Sequence, residues 1–311
     1  MSVFHPDLWF GRFVPRFSFG PKTVAFLRKQ TRRGKLPVLD DVTVEDVEVF
    51  ADGLSPAVSV RLYRPKMMKA PGPALYWMHG GGFIIGSPEQ DQSAIIELVR
   101  ALGLTVAAVR YRLAPEHPAP AAVEDAYAGL KWLFSHASRL QLDPTRIAIG
   151  GVSAGGGLAA TLAFVAHDRN EVRPAFQLLI YPMLDDRTVT RTDLDTQHLR
   201  MWSPESNAWA WSVYLGRAPG SPGTSAYAAA ARREDLSGLP PAWIGVGTLD
   251  LFHDEDVAFA KRLQDSGVLC ELHVVPGAFH AFDAVFPRAG VSQVFRQEWV
   301  RVLKAALHRP A

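Results

Sequence analysis

Residues 147–166 read IAIGGVSAGGGLAATLAFVA, twenty positions without an Asp, Glu, Lys or Arg. By length alone the run matches a membrane span, but glycines at 150, 151, 155, 156 and 157 break it into two halves of different character. The first half is Ile-rich and ends on paired glycines, as a buried strand does; the second is rich in Ala and Leu, which favour a helix. The expected local structure is therefore a strand, a sharp turn at Ser153, and a helix opening at Ala154. A serine at the tip of such a turn is lifted clear of the sheet in a strained backbone conformation. Gly151 and Gly155, two positions to either side, leave strand and helix room to cross closely.

Outward from that turn, apolar β-branched runs bounded by Gly, Pro or Asp place strands over residues 42–50, 58–63, 74–78, 104–110, 146–150, 176–181, 242–246 and 269–275. Helical patterns cover residues 92–102, 121–136, 154–167, 254–266 and 291–308. The first two strands are closely linked and alternate in polarity, so they pair antiparallel. From there strand and helix alternate, which calls for a parallel sheet wrapped by helices on both faces. Two segments break the rhythm. Residues 1–40 read as helical and aromatic-rich, with Trp9, Phe10, Phe13, Phe17 and Phe19, and residues 185–235 form a long insert holding Trp202, Trp209 and Trp211. An insert that is aromatic rather than merely polar suggests a lid over a pocket.

The 311 residues are 48% apolar and 21% charged, enough for one large core and incompatible with a disordered or fibrous chain. The net charge of +2 is nearly neutral. The cluster Lys22, Arg28, Lys29, Arg32, Arg33 and Lys35 lies at the end of an expected helix, where cations complement the dipole, and no aromatics are interleaved for stacking; nucleic acid is not an expected partner. One cysteine, Cys270, excludes an intramolecular disulfide and any multi-cysteine metal site, and reads as a small apolar strand residue. With no apolar leader at the start, the expected location is the cytoplasm, without stable membrane insertion. No metal and no cofactor are expected.

A second signal is His79-Gly80-Gly81-Gly82-Phe83, directly after the strand at 74–78. Consecutive glycines let backbone N–H groups face a substrate without a Cβ in the way. Gly81, Gly82 and the N–H following the serine, that of Ala154, are the expected oxyanion donors; losing one such donor typically costs about 3 kcal/mol of transition-state stabilisation. A nucleophilic serine needs a base, and the base an orienting carboxylate. Of ten histidines, His280 follows the last expected strand in a short loop, and Asp250 follows the strand at 242–246. His273 lies within a strand and reads as a packing residue, while Asp254, Glu255 and Asp256 fall at a helix start, where acids satisfy free N–H groups.

Over residues 40–311 the chain resembles the hormone-sensitive-lipase-like branch of the α/β-hydrolases, the bacterial carboxylesterases that carry an HGGG block. Besides the two glycine motifs, the resemblance rests on Tyr111-Arg112-Leu113-Ala114-Pro115-Glu116-His117-Pro118, on Ala121-Ala122-Val123-Glu124-Asp125, and on Tyr181-Pro182-Met183-Leu184-Asp185. It implies an α/β-hydrolase fold with an eight-stranded, mostly parallel sheet flanked by helices. It also implies a Ser153–Asp250–His280 triad hydrolysing short- to medium-chain acyl esters through an acyl-enzyme, in the α/β-hydrolase order, distinct from that of the serine proteases of other folds. A discontinuous helical cap, residues 1–40 and 185–235, would cover a catalytic core of 41–184 and 236–311, with Phe17, Trp202 and Trp209 lining the substrate pocket. Three positions depart from the pattern. Val152 replaces an Asp or Thr that would support the glycine loop, Arg110 reverses the charge of an Asp, and the acid's surroundings become Asp250-Leu251-Phe252-His253-Asp254. Arg112 and Glu116 are expected to pair and brace the loop beside the glycine block.

Other readings compete. Gly155-Gly156-Gly157-Leu158-Ala159-Ala160 satisfies a dinucleotide fingerprint, but no acid stands about twenty positions on, and the motif lies mid-chain rather than in a first βα unit. An amidase or arylformamidase would use the same triad. A non-catalytic small-molecule binder on a hydrolase scaffold would have no need of Ser153, Asp250 and His280 together. A homodimer through an exposed last strand remains compatible with the chain.

Overall fold

The computed structural model of the chain describes residues 3–16, 18–30, 36–49, 57–68 and 71–308. Phe17, Phe50, Arg32, Arg33 and Lys35 lie outside the described residues. Eight strands form where the apolar runs place them: β1 (Val42–Val49), β2 (Val58–Pro65), β3 (Gly72–Met78), β4 (Thr105–Arg110), β5 (Leu142–Val152), β6 (Gln177–Ile180), β7 (Ala242–Leu249) and β8 (Cys270–Phe279). They make one sheet in the order β1-β2-β4-β3-β5-β6-β7-β8. β1 pairs antiparallel with β2 and β2 antiparallel with β4, while β3 to β8 run parallel.

The helices are α1 (Pro21–Gln30), α2 (Gln92–Leu102), α3 (Ala121–Ser135), α4 (Ala154–Arg169), α5 (Pro204–Leu215), α6 (His253–Asp265), the single turn α7 (Phe282–Val285) and α8 (Gly290–Leu307). Strand alternation sorts them onto two faces. Tyr76 and Met78 of β3 and Ile147 and Ile149 of β5 point toward α3, α4 and α6. The intervening Leu75, Trp77 and Ala148 point toward α2 and α8. α4 is buried on every side, which is why its sequence carries no polar stripe.

Outside the sheet, residues 185–235 contain one α-helix, α5, between short 3-10 turns at Asp186–Thr190 and Ala230–Arg232. Asp186, fully buried, organises the connection: it pairs with Arg232 at 2.7 Å and accepts from the N–H of Gly220 at 2.8 Å. The N-terminal segment, a 3-10 helix over Pro6–Phe13 followed by α1, packs against this insert. The N–H of Phe19 donates to Ser206 Oγ at 2.8 Å, Arg200 donates to the carbonyl of Gly11 at 3.1 Å, and the rings of Phe19 and Trp202 lie 5.5 Å apart.

The expected Arg112–Glu116 pair does not form. Arg112 makes a forked pair with buried Asp125 of α3, at 2.7–3.0 Å, and Glu116 pairs with Arg28 of α1 at 2.6 Å. The reason is reach. Asp125 also accepts from the backbone N–H of Arg112, which fixes that guanidinium over α3 and leaves Glu116 to the N-terminal helix. Arg28 donates further to the carbonyls of Ile84, at 2.7 Å, and Ala114, so α1 clamps the loops that flank the glycine block. Arg110 is compensated by Glu89, which it shares with the buried Arg61.

Candidate active site

β5 ends at Val152 and α4 begins at Ala154, so Ser153 is the single residue of the turn, with φ 56° and ψ −123°. A non-glycine residue in that region carries on the order of 1–3 kcal/mol of strain. The surroundings hold it there: the N–H of Ser153 donates to Ile180 of β6 at 2.9 Å, and its carbonyl accepts from Gly157 and Met183, both at 3.0 Å. The flanking glycines answer to a close approach. A Cβ on Gly151 or Gly155 would stand 2.4 or 2.2 Å from the carbonyl oxygen of Met78, where β3 ends. The motif thus presses the serine turn against the strand that carries His79-Gly80-Gly81-Gly82.

Asp250 and His280 meet because β7 and β8 are parallel and pair Leu249 with Phe279, their last residues. β8 runs on through 276–279, past the expected end at 275, so His280 stands directly at the strand terminus rather than within a free loop. His280 Nδ1 lies 2.8 Å from Asp250 Oδ2, and Nε2 lies 2.9 Å from Ser153 Oγ. The other carboxylate oxygen of Asp250 accepts from the N–H of Phe252 at 3.0 Å. An ionised carboxylate only accepts, so Nδ1 carries the imidazole proton and Nε2 is free to receive the serine's. The imidazole is held between ring edges, Tyr181 at 4.9 Å and Phe252 at 5.2 Å. All three polar side chains are buried.

Gly81 and Gly82 have φ of 120° and 61° and face the same cavity as Ser153. Ala154, as the first residue of α4, has an N–H without an intrahelical acceptor. Val152, the departure beside the serine, packs against Gly80, and polar support for the loop comes from elsewhere. Gln90 donates to the carbonyl of Gly80 at 3.3 Å, and the hydroxyl of Tyr111 to the carbonyl of His79 at 2.7 Å. His79 stacks on Tyr111 at 4.2 Å, and burial pushes its imidazole down to about 4, so it is a neutral packing residue.

The acids at the start of α6 divide. Asp254 pairs at the surface with Arg191 at 2.6 Å. Glu255 and Asp256, expected to serve the helix's own N–H groups, turn into the protein instead. Glu255 accepts from the N–H groups of Leu184 and Asp185 at 2.7 and 3.1 Å and from the hydroxyl of Thr188, tying the loop after β6 to α6; burial pushes its carboxyl up to about 8. Asp256 is fully buried without a partner for either oxygen among the described residues, and burial holds its carboxyl well above the usual range.

Ser153 and His280 open on a cavity of about 870 Å³. Trp202 lines it, and a Cβ on Gly82 would stand 2.3 Å from the Trp202 ring. Phe19, one of the N-terminal aromatics, lines it too, although Phe17 was the one expected at the pocket. Trp209, on α5, packs half-buried against the core and does not line the cavity; Phe17 lies outside the described residues. Tyr181, under the His280 ring, was legible only as part of a resemblance motif. Cys270 is half-buried, and burial pushes its thiol up to about 12, which removes it as a nucleophile. Among the described residues no group of three or more His, Cys, Asp and Glu side chains is disposed to hold a metal ion, and no helix is long and apolar enough to cross a membrane.

A family model described as an alpha/beta hydrolase fold matches residues 75–284. The chain is similar to the carboxylesterase NlhH of Mycobacterium tuberculosis, 34% identical over 304 residues that cover 92% of this chain and 90% of that one. It is also 34% identical over 276 residues to the carboxylic ester hydrolase LipN of the same organism, covering 86% and 72%. Among solved structures, a bacterial heroin esterase superposes with a TM-score of 0.89 at 37% identity, over 99% of both chains.

Proposed function

The chain belongs to the α/β-hydrolase family, in its hormone-sensitive-lipase-like branch of carboxylesterases, and from that membership we propose that it hydrolyses carboxylic esters with Ser153 as nucleophile, His280 as general base and acid, and Asp250 as the group that orients His280. Ser153 Oγ attacks the ester carbonyl as its proton passes to His280 Nε2. The negative charge on the carbonyl oxygen is taken by the N–H groups of Gly81, Gly82 and Ala154. His280 then protonates the departing alcohol, leaving an acyl-enzyme on Ser153. A water activated by the same imidazole adds to that acyl group, and the serine leaves with its proton restored. Asp250 stabilises the imidazolium in both halves without taking the proton.

The observation that carries this reading is the unbroken chain of contacts at 2.9 and 2.8 Å from Ser153 through His280 to Asp250, opening on a cavity at the carboxyl ends of the strands. The relatives' printed activities, carboxylesterase and esterase, favour an ester over an amide. Residues 1–40 and 185–235 act as a discontinuous cap over a core of 41–184 and 236–311, with Trp202 as the cap's contact with the site. The substrates are esters of short to medium acyl chains.

The test is turnover of p-nitrophenyl esters graded from two to twelve carbons. Activity should peak at four to eight carbons, and Ser153→Ala should lower kcat/KM by about 10⁴-fold or more while leaving the thermal transition in place. Activity in a folded Ser153→Ala protein equal to that of the parent would end the proposal.

A further inference from the structure

The carbonyl and the N–H of a trans peptide group share one plane and point in opposite directions. Whatever holds the carbonyl of Gly80 therefore aims the N–H of Gly81, and whatever holds the carbonyl of Gly81 aims the N–H of Gly82. Both peptides are trans, and neither N–H has an acceptor among the described residues.

The two carbonyls are held from different parts of the molecule. That of Gly80 accepts from Gln90 at 3.3 Å and lies 2.8 Å from His79 Nδ1, both in the 79–91 connection between β3 and α2. That of Gly81 accepts from the N–H groups of Ile84 and Ile85, each at 3.0 Å. Each of those N–H groups is backed in turn. The Phe83 carbonyl, which shares a peptide with the Ile84 N–H, accepts from the N–H of Ala114 at 2.9 Å. The Ile84 carbonyl, which shares a peptide with the Ile85 N–H, accepts from Arg28 Nε at 2.7 Å.

A continuous chain thus runs from the Arg28 guanidinium through the Ile84–Ile85 peptide and the Gly81–Gly82 peptide to the N–H of Gly82. All its donors run in one direction, so each bond polarises the next, and the first is strengthened by the charge on its donor. Arg28 belongs to α1, outside the sheet, and is anchored there by Glu116 at 2.6 Å and by the carbonyl of Ala114. Phe83, with φ of 62°, stacks on Tyr214 of α5 at 3.9 Å. The turn behind Gly82 is therefore held by the two segments that lie outside the sheet, whereas the Gly80 carbonyl is held by its own loop.

We propose that Arg28 is a positioning residue for ester hydrolysis: through the Ile84–Ile85 peptide it aims and polarises the N–H of Gly82, so that seating α1 on the glycine loop completes the oxyanion site. The proposal rests on the esterase reading, which gives that N–H its role. Arg28 does not line the cavity and acts only through the two peptides.

Arg28→Met keeps an aliphatic stem and removes every donor. Complete loss of one oxyanion donor costs about 10²–10³-fold in kcat, so a misaimed one should cost about tenfold or more on p-nitrophenyl butyrate, with KM within about twofold of the parent's. A pair of ketones separates this from a change in pocket shape. A trifluoromethyl ketone accepts Ser153 Oγ at its carbonyl carbon, the hydroxyl proton passes to His280, and the carbonyl electron pair stays on the oxygen as an oxyanion. The matched methyl ketone binds without that addition. In Arg28→Met the affinity for the fluorinated ketone should fall by the same factor as kcat/KM, while that for the methyl ketone stays within about twofold. Should Arg28→Met fail to fold, Arg28→Gln, shorter and uncharged, is read in the same way. Glu116→Gln leaves the carbonyl contacts of Arg28 in place and should keep kcat within about twofold of the parent. Parent-like kcat in a folded Arg28 variant, or equal weakening of both ketones, would overturn the proposal; so would a loss in Glu116→Gln as large as in Arg28→Met. A parent protein that hydrolyses no ester would end the esterase reading and this proposal with it, whereas an active parent with unaffected Arg28 variants ends this proposal alone.

Discussion

Asp250 shows how narrowly one side chain is constrained. One carboxylate oxygen is tied to the N–H of Phe252, so the other faces His280 Nδ1 and fixes which imidazole nitrogen bears the proton. Asp250→Asn keeps a carbonyl for the Phe252 N–H and therefore keeps the fold, but it offers His280 an amide that stabilises neither the required tautomer nor the imidazolium. The expected result is a loss of about 10⁴-fold in kcat on p-nitrophenyl butyrate with a near-native thermal transition; more than a tenth of the parent activity would show that His280 works without it. Chemistry this restrictive is legible in sequence. Ser153, Asp250, His280 and the glycine block, which the structure brings together, could be singled out because few residue types suit the proposed steps and each stands at the end of an apolar run. Glu255 and Asp91 were not legible. Both sit at helix starts, where an acid ordinarily serves the helix itself; what turns Glu255 onto Leu184 and gives Asp91 to Trp77 is packing between segments more than a dozen residues apart or across a sheet face.

Between elements, the sensitive contact is the one joining the glycine loop to the insert. Gly82 lies under the Trp202 ring so closely that an alanine Cβ would overlap it, and its φ of 61° adds backbone strain. Gly82→Ala should therefore displace a proposed oxyanion donor and lower kcat/KM by about 10–100-fold without unfolding the sheet. Trp202→Leu, made alone, should cost less. In the double variant the smaller side chain should recover part of the loss, a coupling of about 0.5–3 kcal/mol in the cycle. Strictly additive losses would mean that the loop and the insert do not act on each other through this contact. Elements of the sheet were legible to within a few residues because strand and helix periods differ and Gly, Pro and Asp punctuate them. The departures have local causes. β5 begins at Leu142, before its apolar run, because Gly72 of β3 pairs with it there, and β8 continues to Phe279 because Leu249 of β7 extends the ladder. The insert was legible as a segment but not as one helix with a buried Asp186–Arg232 knot, since that knot joins residues forty-six apart.

Over the whole molecule, two sets of carboxyl groups are shifted in opposite directions. Arginine partners hold one set low, as Arg233 holds Asp168 at about 2, and these are ionised in folded and unfolded chains alike above pH 6. Burial holds others high, among them Asp91 at about 7, Glu255 at about 8, and Asp256 well above the usual range. In the unfolded chain these three ionise near pH 4. Between pH 6.5 and 8.5 the folded state therefore binds more protons than the unfolded one, and stability falls as pH rises until each folded group gives up its proton. His79 acts the other way, since burial lowers its imidazole to about 4, but its contribution is complete once pH exceeds the unfolded value near 6.5. Each retained proton is worth about 1.4 kcal/mol per pH unit, and a chain of this size moves by about 2 °C per kcal/mol, so the thermal midpoint should fall by about 5–10 °C across the window. Glu255→Gln keeps a carbonyl for the N–H groups of Leu184 and Asp185 while removing one titration. Its midpoint should decline less steeply than the parent's over the same range. Scanning calorimetry at matched ionic strength decides between them: a parent midpoint that stays level from pH 6.5 to 8.5, or a Glu255→Gln slope no shallower than the parent's, would show that these buried carboxyls ionise in the folded protein as freely as they do in water.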